Sequence, residues 1–353
     1  MFLRNCWYIA AFSSEILRSR ALPRTLLNEK VVLFRTGEGR PIALEDRCPH
    51  RFAPLSVGRL TGTGIACGYH GMEFDTSGRC IANPTQPDEK IPPHACVRAY
   101  PVEERHGMIW IWMGDTAKAD AGLIPDYKEY DDPAWNPQPQ YMHVKGNYLL
   151  LVDNLLDLSH INFVHGGILG SPDRAGKMEH TTEATETGIA ERWLSPASPI
   201  VPIWDGLIRE EWGRHSVDLW ADMYWQAPSN MMLDTGVTPA GKSRTLGAKA
   251  LSLNCVTPET ATTTHYFYGT AGDYWKDRSV LLDGAFSQRI AFQQDEAMIE
   301  AVQANMGQDW DILAMKPVIN KADRAALQAR RIVRKLIDAE TEQQTTAPKL
   351  ALA

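Results

Sequence analysis

Nowhere do the 353 residues run to 18 consecutive apolar side chains, so no transmembrane helix is expected. Positive charge is in deficit. The 36 Lys and Arg face 43 Asp and Glu, and the net −7 speaks against a nucleic-acid or anionic-membrane surface. Cysteine is scarce: six residues are too few for a disulfide scaffold, and in a reducing compartment clustered cysteines read as metal ligands or catalytic thiols. The opening MFLRNCWYIAAF lacks the basic, apolar and small-residue order of a secretory signal, so the cytoplasm is the expected location. A G-x-G-x-x-G fingerprint, internal repeats and low-complexity tracts are also missing, so this chain is not expected to bind a dinucleotide itself. What is present is the balance of a globular chain, 44% hydrophobic and 22% charged, long enough for two domains at about 150 residues each.

Residues 1–115 read as short strands punctuated by Gly and Pro, at 31–35, 42–45, 64–67 and 108–113, which predicts a small antiparallel β domain. Residues 116–140 are rich in Asp, Pro and Gly and read as a linker. Residues 141–340 mix strand candidates (215–225, 248–256, 262–268) with helices at 148–164, 283–305 and 321–341, an α+β pattern. Segments 166–175 and 195–205 read as loops over a pocket, and 341–353 as a loose tail.

The strongest local signal is Cys48-Pro49-His50 followed, after 16 residues, by Cys67-Gly68-Tyr69-His70. Each half offers one thiolate and one imidazole from a tight turn. Four such ligands suit either a structural zinc ion or a Rieske [2Fe–2S] cluster, in which two Cys bind one iron and two His the other. Zinc fingers pair Cys with Cys and His with His, whereas here each loop carries one of each. That interleaving favours the two-iron cluster, because each loop then touches both irons. Arg47, Arg51 and Arg59 flank these loops, as solvated charges or as a docking patch for an electron donor.

A second cluster lies in NYLLLVDNLLDLSHINFVHGG, which is apolar nearly all round and should be buried as a helix. It nevertheless carries Asp153, Asn154, Asp157 and His160. On a continuous helix Asp153, Asp157 and His160 would share a face, and His165 just before Gly166-Gly167 can swing toward the same point. Buried charges without partners are costly. The favoured reading is a 2-His-1-carboxylate site for non-haem Fe(II) with open positions for O2. Asp295, central in an apolar stripe of Ala291, Phe292, Met298, Ile299 and Val302, is the expected third ligand. Glu296 is its rival, and Glu300 points away. Asp157 is a candidate partner for the other ring nitrogen of His160. Trp225, Met231, Met232, Phe267 and Phe286 are candidates for a substrate pocket, with Asn230 and Asn254 as polar contacts. The remaining His and Cys residues read as structural.

These motifs resemble the Rieske non-haem iron aromatic oxygenases, and most closely the demethylase branch. The likeness covers nearly the whole chain, through RNCWYIAA, EDRCPHRFAPLSVG, CGYHGMEFD, YPVEERHGMIWIWMGD, LLVDNLLDLSHINFVH and QQDEAMIEAVQ. The resemblance implies an antiparallel β Rieske domain followed by a helix-grip-like α+β catalytic domain. Cys48 and Cys67 would hold one cluster iron, His50 and His70 the other, and His160, His165 and Asp295 the catalytic Fe(II), with Asn154 close by. Asp157 would bridge a cluster histidine of one subunit to an iron-ligand histidine of the next in a head-to-tail homotrimer. It further implies a separate flavin and iron–sulfur reductase fed by NADH, O2 as co-substrate, and O-demethylation of a methoxy-aromatic acid such as vanillate. Hydroxylation of an aryl methyl group on an aromatic sulfonate or carboxylate is the alternative.

Overall fold

The structure, a computed structural model, describes residues 2–170, 176–208, 216–272 and 278–346. The chain divides into two compact units. One comprises Phe2–Pro125 with Thr257–Thr260, and the other Asp126–Val256 with the chain from Ala261 onward.

The strands of the first unit are β1 (Trp7–Phe12), β2 (Leu22–Leu26), β3 (Glu29–Arg35), β4 (Pro41–Glu45), β5 (Arg59–Leu60), β6 (Gly64–Ala66), β7 (Glu73–Asp75), β8 (Cys80–Ala82), β9 (Ala99–Tyr100), β10 (Val102–Arg105) and β11 (Met108–Trp112). They pair antiparallel in the orders β1-β11-β10, β2-β3-β4-β9 and β5-β6-β7-β8. Side chains of a strand alternate between its faces, and β3 uses this to feed two apolar clusters. Val31 and Leu33 join Tyr8, Ile109 and Ile111. Val32 and Phe34 join Leu44, Ile65 and Phe74, and this second cluster also holds Cys48 and Cys67. The two thiols are therefore anchored in a core rather than on mobile tips.

The second unit is one antiparallel sheet of seven strands with helices against it. Its elements are β12 (Gln138–Val144), α1 (Tyr148–Leu156), β13 (Glu179–Ala184), β14 (Gly188–Ser198), α2 (Pro202–Asp205), β15 (Val217–Gln226), β16 (Asn230–Pro239), β17 (Ala248–Pro258), β18 (Thr264–Ala271), α3 (Arg278–Met306) and α4 (Arg324–Thr346). The strand order is β12-β18-β17-β16-β15-β14-β13. The buried residues of α3 (Gln288, Ala291, Asp295, Ile299, Gln303 and Met306) recur every three or four positions, one face of an α-helix. That face packs on β12, α1 and the rings of β18, with Phe292 stacked 5.5 Å from Tyr266 and tilted against Tyr268 at 4.8 Å. Asn147 caps α1 by accepting from Leu149 N–H.

The expected strands fall on β3, β4, β6, β11, β15, β17 and β18, although residue 215 lies outside the described residues. The helices at 283–305 and 321–341 fall on α3 and α4. The helix expected over 148–164 is a correction: α1 ends at Leu156, and residues Leu158–Asn162 form a 3-10 helix. Between them Asp157 takes φ −107° and ψ 88°, which no α-helix accommodates, and its carboxylate caps the new element by accepting from Ser159 N–H at 2.9 Å. Asp153 consequently turns away from His160 and pairs with Arg330 of α4. Met298, placed in the apolar stripe of α3, is 54% exposed. Residues 116–135 hold four one-turn 3-10 helices, and β12 already begins at Gln138. The expected loop at 195–205 is in part the end of β14 and in part α2. Segment 166–175 is described only to residue 170. The tail expected from 341 is helical through Thr346, and residues beyond it lie outside the described ones.

Candidate active site

The two Cys/His loops of the first unit are built alike. In each, the cysteine carbonyl accepts from an N–H four residues on: Phe52 N–H to Cys48 O at 2.9 Å, and Gly71 N–H to Cys67 O at 3.0 Å. Both closing residues are left-handed, Phe52 at φ 58° and Gly71 at φ 77°. The loops approach closely because Gly58 faces the Ala66 carbonyl, where a Cβ would lie 2.1 Å away. Cys48 and Cys67 are buried, His50 is exposed and His70 half-buried. Burial pushes the Cys48 thiol up, with the Cys67 thiol beside it. The imidazole rings lie 4.5 Å apart. Two thiols inside and two imidazoles outside fit a two-iron cluster better than one zinc ion. His160, His165 and Asp295 form a separate group whose ligand atoms lie within 4.8 Å of one another. Beneath the first loop the buried Asp46 carboxylate accepts from Ser56 N–H at 2.7 Å and Ser56 O–H at 2.6 Å.

In the second unit the 3-10 helix after Asp157 delivers His160 and leads to His165, and α3 delivers Asp295. His160 Nε2 and His165 Nε2 stand 3.4 and 3.2 Å from Asp295 Oδ1, with the rings at 78° to each other. The opposite ring nitrogens are fixed by oxygen acceptors. His160 Nδ1–H donates to the main-chain carbonyl of Asp157, and His165 Nδ1–H to Gln294 Oε1 at 2.9 Å. Since a carbonyl only accepts, Nδ1 of each ring is taken, and Nε2 is the nitrogen that faces the common point. Burial raises the Asp295 carboxyl, but hydrogen bonds from both histidines outweigh it and hold it at about 2. Asn154 Nδ2–H donates to Asp295 Oδ1 at 3.1 Å. Two imidazoles and one ionised carboxylate on one side of a point fit a 2-His-1-carboxylate iron.

His160, His165 and Asp295 are brought together, and Asn154 touches Asp295. Asp157 meets His160 through its backbone, whereas its carboxylate serves Ser159. Glu296 sits half-buried outside the site near Lys145 and Glu300, and Glu300 accepts from Lys145 N–H. Gln294 escaped the sequence reading, and its position beside Asp295 in QQDE was the available signal.

The three ligands line a cavity of about 160 Å3. Its walls are Trp193, Trp204, Leu219, Met223, Leu233 and Phe292, with Ser252, Asn254 and Gln288 as a polar patch. Leu169, Val201 and Ile203, from the segments expected to cover a pocket, also line it. Asn254 lines it, but its amide is engaged, donating to Ser252 O at 3.0 Å and accepting from Tyr266 O–H at 2.7 Å. The other pocket expectations need correction. Trp225 and Met231 pair with each other two rungs beyond the Met223–Leu233 pair that forms the wall, on the same face. Asn230 and Met232 alternate to the other face of β16, Phe267 packs on Tyr141 and His265, and Phe286 is 65% exposed.

Comparison with known proteins agrees with this geometry. Residues 6–101 match the Rieske [2Fe-2S] domain and residues 144–339 the vanillate O-demethylase oxygenase C-terminal domain. The iron-sulfur subunit of a toluene-4-sulfonate monooxygenase system of Comamonas testosteroni is 38% identical over 96% of this chain and 98% of its own. A vanillate O-demethylase oxygenase subunit of a Pseudomonas species is 33% identical over 97% of both. The crystal structure of dicamba monooxygenase bound to dicamba superposes with a TM-score of 0.87 at 34% identity, covering 97% of this chain and 99% of that one. The same enzyme with non-haem iron and dicamba gives 0.79.

Proposed function

Because the chain belongs to the Rieske oxygenases with a vanillate O-demethylase-type catalytic domain, we propose that it removes the methyl group of a methoxy-aromatic acid such as vanillate. It is the oxygenase component of a two-component monooxygenase, and the overall reaction is ArOCH3 + O2 + NADH + H+ giving ArOH, HCHO, NAD+ and H2O. A separate flavin and iron–sulfur reductase oxidises NADH in the cytoplasm. The cluster held by Cys48, His50, Cys67 and His70 would supply single electrons, and an iron held by His160, His165 and Asp295 would supply dioxygen activation.

The chain's own residues do the rest. Gln294 and the Asp157 carbonyl aim the two imidazoles, and Asn154 steadies the carboxylate that joins them. Trp193, Trp204 and Phe292 exclude water from the end of the cavity where the methyl must sit. The observation that carries the reading is this placement, an apolar cavity of a size for one aromatic ring with the three ligands in its wall.

The Asp157 carboxylate lies half-buried in a separate groove of about 330 Å3 that also exposes His160 and the apolar Val318 and Ile319. This supports a homotrimer in which a partner's cluster histidine meets Asp157, making it the electronic link between subunits. The 38% identity to the toluenesulfonate system favours a second reading, hydroxylation of an aryl methyl group to the alcohol. Assay of the purified protein with a compatible reductase, NADH and a panel of methoxy- and methyl-arene acids separates the two. Formaldehyde from a methoxybenzoate supports demethylation, whereas alcohol from methyl arenes and no formaldehyde from any methoxy arene rejects it.

A further inference from the structure

Gln288 is the buried polar group of the cavity that the reaction scheme leaves unused. It is 8% exposed and stands on the same face of α3 as Asp295, seven residues and about 10 Å earlier along the helix. Its Nε2–H donates to Ser252 Oγ at 2.8 Å. That hydroxyl is fixed in turn, because it also accepts from Asn254 Nδ2–H at 3.3 Å, and the Asn254 amide is itself oriented by Tyr266 O–H. The Gln288 carboxamide thus has its nitrogen toward Ser252 and its oxygen away from it. The oxygen, Gln288 Oε1, is buried and has no hydrogen-bond partner among the described residues. A buried acceptor left unpaired is costly, on the order of a tenfold loss in binding for any ligand that fails to satisfy it.

We propose that Gln288 is a specificity-determining residue that reads a hydrogen-bond donor, a hydroxyl or N–H, on the part of the substrate ring remote from the reacting methyl. This rests on the demethylation reading for the position of the methyl, next to His160, His165 and Asp295. The ring then spans from the ligand end of the cavity to the Ser252–Gln288 wall. A carboxylate or sulfonate offers only acceptors and would leave Oε1 unpaired in this orientation. A substrate that merely fills the space, such as a methyl-substituted analogue, would leave the acceptor bare.

The test uses the holoenzyme and two probes of similar shape, 4-methoxyphenol and 4-methoxytoluene. Wild type should favour the phenol about tenfold, carried mainly in KM. Gln288→Leu should abolish the preference, while Gln288→Glu, which keeps an acceptor, should retain it. The cluster's visible spectrum and the iron content check that each variant folds and loads. Binding is read separately by quenching of the fluorescence of cavity tryptophans such as Trp193 and Trp204. Tighter binding of the phenol without formaldehyde release would overturn the demethylation reading and leave the role of Gln288 standing. Equal binding of both probes to wild type, binding of neither, or an undiminished preference in Gln288→Leu would overturn the role itself.

Discussion

Gln294 decides which nitrogen of His165 is free. Its carbonyl holds Nδ1–H, so Nε2 is the nitrogen left facing Asp295, and a bound metal would take its lone pair. Partners of this kind, acting behind a ligand, typically govern metal affinity by 10- to 100-fold. Gln294→Leu should therefore weaken iron retention by about that factor while sparing the cluster, as measured by iron content after dialysis against a graded chelator. Wild-type retention would show that the bond only fills space. Asp46 poses the corresponding question for the cluster. It lies two residues before Cys48, hence within about 7 Å of chain. Among the described residues, its carboxylate is held by the N–H and O–H of Ser56. A buried negative charge opposes the arrival of an electron. Asp46→Asn should raise the cluster's reduction potential, read by spectroelectrochemistry, and an unchanged potential would contradict that charge effect. At this scale the sequence was most legible where ligands are local. Cys48/His50, Cys67/His70 and His160/His165 each sit within a few residues, and their spacing alone carried the chemistry. Asp295 required the separate argument that a carboxylate on an apolar helix face needs a partner.

At the scale of elements, the break between α1 and the 3-10 helix does two jobs that one continuous helix could not. It frees Asp153 to clamp Arg330 of α4, with Arg330 nitrogens 2.6–3.0 Å from the carboxylate, and it turns His160 toward α3. Arg330 is buried, so removing it leaves a carboxylate facing a void. Arg330→Met should cost about 3 kcal/mol in denaturant unfolding, whereas a loss under about 1 kcal/mol would mean that water replaces the guanidinium. The break was hidden in sequence because the residues of 148–164 are uniformly helix-compatible and Asp157 acts through a dihedral angle and a cap. The sheet was hidden differently. Alternation along β15, β16 and β17 reveals which residues share a face, and Trp225 and Met231 do share one with Met223 and Leu233. Where along that face the cavity ends depends on α3 and α2 covering it, which no local pattern encodes.

At the scale of the molecule, both units place their chemistry on rigid supports, core-anchored thiols in one and a sheet-backed helix in the other. Asp157 is the residue through which the assembly reading is exposed to test. Asp157→Asn should leave both metal centres loaded and the cluster reducible, yet stop product formation by more than tenfold. A single-turnover experiment with pre-reduced protein measures this, and product at the wild-type rate would remove Asp157 from the electron path. The claim on which everything else depends is that one polypeptide carries a two-iron cluster and a separate iron. Metal and acid-labile sulfide analysis of the purified chain tests it most directly. The account predicts about three irons and two sulfides per chain, with Asp295→Ala losing one iron and keeping the cluster's visible spectrum. Zinc without sulfide, or full iron and activity in Asp295→Ala, would contradict it.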